Sequence, residues 1–132
     1  MKFLHVGCGI KTKTSTTPPF NSEQWTEIRL DIDEKVKPDI VGSITDMSSV
    51  QTGEFDAIFS SHNIEHLYPH EVGIALQEFH RVLNDDGFVM LTCPDLQSVC
   101  KLVAEFINQK EKAINLMLDS IGSSLITLNC LI

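Results

Sequence analysis

Short apolar segments separated by polar ones run along the chain and predict β-strands. The first begins at Phe3 and stops at Gly7-Cys8-Gly9, and the others cover residues 27–32, 39–44, 55–60 and 88–93. After Pro69 the period changes, because apolar residues recur every three or four positions, at Val72, Ala75, Leu76, Phe79, Val82 and Leu83. This spacing predicts an amphipathic helix. Asp95 is the expected N-cap of a second helix, which continues past Lys112 toward Leu118.

Polar segments between these elements predict loops and turns. Residues 10–21 contain Pro18-Pro19 and have no helical period, so we expect a loop, with a short helical turn at residues 22–25. Residues 84–87, with the sequence NDDG, predict a turn before the fifth strand. The apolar tail, SIGSSLITLNCLI, is compatible with a strand or with a helix, and the pattern leaves both open.

The order of these elements predicts one α/β domain over residues 1–132. Buried strands joined by crossovers imply a Rossmann-like, mainly parallel sheet of about five strands with flanking helices. Ligands of such sheets bind beyond the carboxyl ends of the strands. The unusual polar residues fall at these ends, at Gly7 and Gly9, Asp31, Asp46, and Ser61 and His62. The sequence therefore predicts a ligand site at one edge of the sheet.

Composition limits the kind of partner. The formal net charge is −8, and Arg29 and Arg81 are the only arginines, so nucleic acid is disfavoured and a small neutral or cationic ligand fits better. No apolar run reaches the roughly 20 residues that span a bilayer, and the N-terminal run is too short for a secretory signal, so we expect a cytoplasmic protein without membrane contact. The four cysteines contain no Cys-x-x-Cys pair, which argues against a zinc ribbon.

The residues at the strand ends suit a nucleoside-containing cofactor. Glycines at positions 7 and 9 let the backbone turn sharply and approach a ligand. Asp31 follows about twenty positions later, at the end of the second predicted strand, which is the layout that grips both hydroxyls of a ribose. The alternative interpretation of Asp31 is an ordinary turn residue at a strand end.

With these residues the sequence resembles the class I S-adenosylmethionine-dependent methyltransferases, and more narrowly their small type-11-like group. The resemblance covers roughly residues 3–96. Its segments are LHVGCG, LDID, SITDM, FDAIFSSHNIEHL and EFHRVLNDDGFVMLTCPD, of which the last is the most specific. The resemblance implies S-adenosylmethionine as cofactor and methyl transfer to an unidentified small-molecule acceptor.

The resemblance also implies roles for single residues. Gly7 and Gly9 would pass close to the methionine part of the cofactor, Asp31 would bind the ribose hydroxyls, and Ile32 would flank the adenine. Asp46 would accept a hydrogen bond from the adenine amino group, with Met47 beside the ring. Ser61 would face the methionine end. His5, Cys8 and Thr45 complete the implied cofactor-binding set. For a hydroxyl acceptor, His62 is the expected general base and His66 the second choice.

The sequence departs from the family pattern in three places. His5 stands where an acidic residue is usual, and Lys11 replaces the third glycine of the first motif. The chain after Asp95 has room for one long helix and one strand, so the family's terminal antiparallel strands are expected to be absent or incomplete. A shortened sheet of this kind, with an open edge and an apolar tail, predicts self-association into a homo-oligomer.

Three other interpretations remain. The segment HNIEH matches the His-x-x-Glu-His pattern of zinc proteases, but it lies between a buried strand and Pro69, so we expect Glu65 and His66 to cap or line a pocket and assign no metal. An NAD-dependent oxidoreductase needs a glycine at position 12, where Thr12 stands. A catalytically silent relative that acts in binding or assembly is the non-enzyme alternative.

Overall fold

The computed structural model describes residues 1–107 and 125–130. Its strands are β1 (Lys2–Val6), β2 (Thr26–Asp31), β3 (Ile40–Val41), β4 (Phe55–Ser61), β5 (Leu83–Pro94) and β6 (Leu125–Cys130). The α-helices are α1 (Pro69–Val82) and α2 (Leu96–Ile107). Short 3-10 helices occupy Lys13–Ser15, Glu34–Val36 and Ile64–His66. Within this described part no helix has the length and apolar character needed to cross a membrane.

The strands described here form one sheet in the order β3-β2-β1-β4-β5-β6. The first five strands are parallel, and β6 pairs with β5 in the antiparallel direction. The predicted Rossmann-like sheet of about five parallel strands is therefore confirmed. Part of the apolar tail, for which the sequence left strand and helix open, forms the edge strand β6. The carboxyl ends of β1, β2 and β4 lie side by side at one edge of the sheet.

Helix α1 covers one face of the sheet and encloses the larger core. Its residues Ala75, Phe79 and Val82 are completely buried. They pack with Leu4, Val6, Leu30, Ile44, Met47, Val50, Phe55, Ile58 and Val89. Burying an apolar side chain of this size contributes roughly 1.5–3 kcal/mol, so the predicted amphipathic helix anchors the sheet as the spacing indicated. Pro69 opens the helix, also as predicted.

The loop between β1 and β2 covers the opposite face. Its residues Phe20 and Trp25 are buried against Phe3, Ala57 and Phe59 of the sheet. The rings of Phe20 and Phe3 lie 4.6 Å apart, and the rings of Phe20 and Trp25 lie 5.0 Å apart. The predicted loop is therefore confirmed, with one 3-10 helix at Lys13–Ser15. Residues 22–25 form a single hydrogen-bonded turn, from Trp25 N–H to the Ser22 carbonyl.

Two strands differ from the predicted bounds by more than one residue. Strand β3 has two residues where six were expected, because a turn closed by the Asp46 N–H and the Ser43 carbonyl follows almost at once. Strand β5 begins at Leu83, and the predicted turn at residues 84–87 lies inside it as an irregularity. The register moves from Phe55 opposite Leu83 to Ala57 opposite Phe88, so the NDDG sequence bulges out of the ladder without ending the strand.

Helix α2 begins where the sequence predicted. The Asp95 carboxylate accepts hydrogen bonds from the Gln97 N–H, at 3.0 Å, and from the Ser98 hydroxyl, which is the geometry of an N-cap. The predicted continuation of this helix past Lys112 toward Leu118 lies outside the described residues.

Candidate functional site

The glycine loop after β1 has a backbone that favours glycine. Gly7 has φ of 60° and Gly9 has φ of 55°, which is the left-handed region. A Cβ atom at Gly7 would lie 2.6 Å from Cγ of Asn63, closer than real side chains approach one another. An alanine at position 7 would therefore have a strained backbone and would force the Asn63 side chain to shift. The two predicted glycines bring the end of β1 directly against the end of β4.

Asp31 is fixed beside this loop. Its Oδ2 accepts a hydrogen bond from the Gly9 N–H at 2.7 Å, and its Oδ1 accepts one from the Asp33 N–H at 2.9 Å. An ionised carboxylate has about four acceptor positions, so each oxygen still has capacity for a ligand donor. The prediction that brought Asp31 and the glycines to one place agrees with this geometry. The alternative of a plain turn residue accounts for the bond to Asp33 and not for the bond to Gly9.

Arg29 also binds the glycine loop, and it was not among the predicted site residues. Its guanidinium donates to the carbonyls of Gly9 at 2.5 Å, Lys11 at 3.0 Å and Lys37 at 3.0 Å. The side chain therefore ties the loop after β1 to the loop after β2. A sequence signal was present, because Arg29 and Asp31 are two positions apart on one strand and so project to the same face of the sheet.

Two cavities meet at Gly7. The Asp31 cavity has a volume of about 330 Å³ and is lined by Gly7, Leu30, Asp31, Ile32, Gly42, Ser43, Ile44, Asn63, His66 and Leu67. The His5 cavity has a volume of about 290 Å³ and is lined by His5, Gly7, Cys8, Gly9, Ile10, Lys11, Ser15, Phe59, Ser61 and His62. A further cavity of about 170 Å³ lies near His80 and Asn84, at the amino ends of the strands. The glycine loop thus separates two adjoining spaces at the carboxyl edge.

The predicted adenine contacts are divided between the cavity and the core. Ile32 is 73% exposed and forms a wall of the Asp31 cavity. Met47 is completely buried in the core under α1. Asp46 is exposed, with Oδ1 accepting from the Ser48 N–H at 3.2 Å, and the Thr45 hydroxyl is bonded to that of Ser43 at 2.7 Å. Residues 45–47 are outside the lining, and their neighbours Ser43 and Ile44 belong to it.

An ion pair on α1 fixes this segment. Glu78 accepts a hydrogen bond from the Met47 N–H at 2.7 Å, and Arg81 donates to the carbonyls of Met47 at 2.7 Å and Val50 at 2.9 Å. The two side chains also bond to each other, at 2.7 and 2.8 Å. The guanidinium lowers the pKa of Glu78 below its usual value, and the carboxylate in turn raises the pKa of Arg81.

His5 is a buried member of a hydrogen-bonded pair. Its Nδ1 lies 2.7 Å from Oε1 of Glu27, whose Oε2 accepts from the Lys13 N–H at 2.8 Å. Burial lowers the pKa of His5 below its usual value of 6.5, and the bond to Glu27 offsets this only in part. The ring is therefore neutral at pH 7 with its proton on Nδ1, facing the carboxylate. Glu27 was not among the predicted site residues, because its contact with His5 joins two neighbouring strands and is not visible in the sequence.

Ser61 and His62 end strand β4 at the His5 cavity. The Ser61 hydroxyl accepts a hydrogen bond from the Thr92 hydroxyl at 2.9 Å, and the His62 N–H donates to the Thr92 carbonyl at 3.0 Å. His62 has φ of 52°, a conformation that non-glycine residues rarely adopt. Its Nδ1 lies 3.3 Å from Oε1 of Glu65. This left-handed conformation turns the chain sharply after the strand.

The structure places the two predicted catalytic histidines apart. His62 lines the His5 cavity, whereas His66 lines the Asp31 cavity. Cys8 is buried at the wall of the His5 cavity, and burial raises the pKa of its thiol, so it is uncharged at neutral pH. Within residues 1–107 and 125–130, no group of three or more His, Cys, Asp or Glu side chains is arranged to hold a metal ion.

Comparisons with known proteins give two kinds of finding. A family model described as a methyltransferase domain matches residues 4–91. No match is found among curated proteins. Among solved structures, the chain is similar to the PH0226 protein from Pyrococcus horikoshii OT3, with a TM-score of 0.64 and 20% identity. This similarity covers 79% of the chain and 54% of the Pyrococcus protein.

Two further structures have the same fold. The chain is similar to a SAM dependent methyltransferase from Archaeoglobus fulgidus, with a TM-score of 0.61 and 21% identity over 92% of this chain and 60% of that one. It is also similar to 1,6-didemethyltoxoflavin-N1-methyltransferase from Burkholderia thailandensis, whose structure has 1,6-didemethyltoxoflavin and S-adenosylhomocysteine bound. Here the TM-score is 0.57 and the identity is 15%, over 71% of this chain and 45% of the Burkholderia protein. The matched region thus spans 45% to 60% of these three relatives.

Proposed function

Since the chain belongs to the methyltransferase domain family, we propose that it binds S-adenosylmethionine and transfers the methyl group of this cofactor to a small acceptor molecule. The observation that carries the proposal is the Asp31 carboxylate, bonded to the Gly9 N–H beside the point where the two cavities meet. The cofactor joins a nucleoside to an amino acid, so it requires two adjoining spaces and an acceptor for its ribose hydroxyls. Both requirements are supported by this arrangement.

We assign the nucleoside half to the Asp31 cavity. The free acceptor positions of Asp31 suit the two ribose hydroxyls, because a charged acceptor forms the stronger kind of hydrogen bond. Ile32 and Ile44 offer apolar walls for a flat base. Thr45 and Asp46 follow Ile44 directly and are the proposed polar contacts at the far end of the base, whereas the burial of Met47 favours a role in supporting this segment.

We assign the amino-acid half and the acceptor to the His5 cavity. The loop of Gly7, Cys8 and Gly9 forms one wall, and Ser61 and His62 form another. The neutral His5 ring donates a hydrogen bond from its Nδ1–H to Glu27, which leaves Nε2 as a hydrogen-bond acceptor. An acceptor of this kind suits the amino group of the methionine part, in the position where the family pattern has an acidic residue.

The bound cofactor would supply an electrophilic methyl group on a positively charged sulfur. The tasks of the chain are to position the two reactants in line and to keep water away. For a hydroxyl acceptor, His62 is the proposed base, because it lines the His5 cavity and its Nδ1 is oriented by Glu65. His66 is less well placed, since it lines the other cavity.

The loop after β1 favours a sulfonium cofactor over a dinucleotide. A dinucleotide needs a helix N-terminus next to the glycines to hold its pyrophosphate. Between Val6 and Thr26, a stretch that the structure describes completely, the helical residues are the three of Lys13–Ser15. S-Adenosylmethionine has no pyrophosphate, so it does not depend on such a helix.

Isothermal titration calorimetry tests the proposal directly. We expect S-adenosylmethionine and its demethylated product S-adenosylhomocysteine to bind with one site per chain, and NAD to show no binding under the same conditions. Binding of NAD without either sulfur compound would overturn the assignment. Binding of the cofactor without formation of S-adenosylhomocysteine from any of a panel of small hydroxyl, amine and carboxylate acceptors would instead favour the binding-only alternative.

A further inference from the structure

Asn63 carries a polar group that the described structure leaves without a partner. Its Nδ2 is closed off from solvent and makes no hydrogen bond to any described residue. An unpaired buried donor destabilises the fold, so native proteins rarely retain one without a reason. The residue lines the Asp31 cavity, so a movement of the side chain on ligand entry would bring Nδ2 from its closed position to a ligand oxygen.

The local backbone supports a role other than capping. Asn63 stands immediately before the 3-10 helix Ile64–His66, at the position where an asparagine side chain usually accepts a backbone N–H. Here the side chain makes no capping bond, and the helix is closed by the His66 N–H and the Asn63 carbonyl at 3.1 Å. The preceding His62 adopts a strained left-handed conformation. This segment therefore has a strained backbone at His62 and no side-chain cap, and the Asn63 amide contacts another part of the structure.

The amide is directed at the glycine loop. Both Cγ and Nδ2 of Asn63 would lie 2.6 Å from a Cβ atom at Gly7, so the amide occupies the space that the missing side chain of Gly7 leaves. Gly7 belongs to both cavities. Asn63 consequently lies at the junction, on the side of the Asp31 cavity, where a ligand that extends through both spaces must pass.

We propose that Asn63 binds the cofactor directly: on ligand entry its side chain moves and donates a hydrogen bond from Nδ2 to an oxygen of the ribose. This inference rests on the proposed function and specifies one of its contacts. Asp31 accepts hydrogen bonds and so serves the ribose hydroxyls as donors. The ribose ring oxygen can only accept, and the Asn63 amide is the donor that complements it. The two side chains would hold the ribose from opposite sides of the glycine loop.

The substitution Asn63→Leu tests this contact, with Asn21→Leu as the matched control at an exposed position. The ligands are S-adenosylhomocysteine and 5′-methylthioadenosine, in which a methyl group on the sulfur replaces the chain that carries the amino and carboxyl groups. Because Asn63 contacts the nucleoside, we expect N63L to weaken both ligands equally, by about tenfold, the effect of one hydrogen bond. The control should bind as the unaltered protein does.

Thermal unfolding without ligand separates binding from a structural role. Leucine removes the unpaired amide, so the melting temperature of ligand-free N63L should equal or exceed that of the unaltered protein. A lower melting temperature of N63L together with weaker binding would assign Asn63 to the framework and overturn the inference. Unchanged affinity, or a loss confined to S-adenosylhomocysteine, would overturn it as well.

A second variant tests the donor itself. Asn63→Asp keeps the shape and replaces the donor by an acceptor, and we expect it to weaken both ligands by at least as much as N63L. Affinity equal to that of the unaltered protein would contradict the contact. If the unaltered protein binds neither ligand, the proposed function itself fails. If it binds both and the Asn63 variants bind equally well, only this inference fails.

Discussion

Asp31 has two tasks at the scale of the single residue, because the same carboxylate holds the glycine loop and faces the Asp31 cavity. The bond from the Gly9 N–H fixes the loop, and the bond from the Asp33 N–H fixes the carboxylate. A ligand therefore meets a charged acceptor whose position is already set. Such preorganisation reduces the entropy that binding would otherwise cost.

Replacement of this carboxylate should weaken the cofactor strongly. We expect Asp31→Ala to reduce the affinity for S-adenosylhomocysteine by roughly 1.5–3 kcal/mol, the value of a hydrogen bond to a charged group, measured by calorimetry. Asp31→Asn keeps an acceptor for the Gly9 N–H, so it should keep the loop and lose part of the affinity. Asp86→Ala, an exposed acid at the amino end of the sheet, is the control. If D31A binds as D86A does, Asp31 is only a turn residue.

His5 shows how a neighbouring strand can supply what a motif lacks. The resemblance expects an acid at this position, and the chain has a histidine. The structure places the Glu27 carboxylate of β2 against Nδ1 of this ring. Glu27 therefore places a carboxylate next to position 5, where the family has its acidic residue, and its contact with Nδ1 sets the tautomer of His5. The departure at His5 is thus compatible with a polar ligand in the His5 cavity.

At the scale of elements, α1 does more than cover the sheet. Through Glu78 and Arg81 it holds residues 47–50, which follow β3, to the helix surface. Arg81 also accepts a hydrogen bond on its carbonyl from the Gly53 N–H at 2.9 Å, just before β4 begins. The irregular connection from β3 to β4 thereby keeps a fixed shape without secondary structure of its own.

Loss of this ion pair should destabilise the fold. We expect Arg81→Met to lower the free energy of unfolding by about 1–3 kcal/mol, since it leaves two backbone carbonyls without their donor and Glu78 with the Met47 N–H alone. Urea unfolding measures the effect. Lys35→Met, at an exposed position outside the contact, is the control. Equal stability of R81M and K35M would show that the ion pair contributes nothing.

The same ion pair predicts a direction for the pH dependence. The pKa of Glu78 is lowered in the folded protein, so the folded state binds fewer protons there than the unfolded state does. This stabilisation is fully present above the ordinary pKa of 4.5 and is lost as the pH falls through the lowered value. The difference between R81M and the unaltered protein should therefore shrink in acid. A difference that does not change with pH would contradict this account.

At the scale of the whole molecule, the edges of the sheet are where the predicted self-association would take place. Strand β3 forms one edge with two residues, of which Val41 is 56% exposed. Strand β6 covers β5 and forms the other described edge. The predicted self-association through the open edge or the apolar tail stays a prediction.

Sedimentation velocity over a wide range of concentration checks this prediction. We expect a mass above the 14.8 kDa of one chain. If the β3 edge takes part, Val41→Lys should return the protein to that mass, because a charge on an edge strand opposes pairing. Ile74→Lys, a matched change on the exposed side of α1, should not. Unaltered protein at 14.8 kDa at every concentration would contradict self-association.

Local patterns determined much of the fold and the core of the site. The apolar runs gave β1, β2 and β4, the period after Pro69 gave α1, and the family model matched over residues 4–91 confirms the resemblance. Gly7, Gly9 and Asp31 were predicted because a strand end, a glycine conformation and a nearby acid are short-range signals. The bounds of β3 and β5 were less accurate. A turn ends β3 after two residues, whereas β5 accommodates the predicted turn residues, with side-chain contacts such as that of Asn84 with Asp56.

Tertiary structure alone decided which side chains meet. Three contacts join residues that are far apart in the sequence: the Glu27–His5 pair, the hydrogen bonds from Arg29 to the glycine loop, and the contact of Asn63 with Gly7. His62 and His66 were predicted as first and second choice for the same base, but the folded chain puts them in different cavities. Sequence patterns report the local preferences of the backbone and the burial of one face. The partners of a polar side chain depend on the register between strands, which exists only once the sheet has formed.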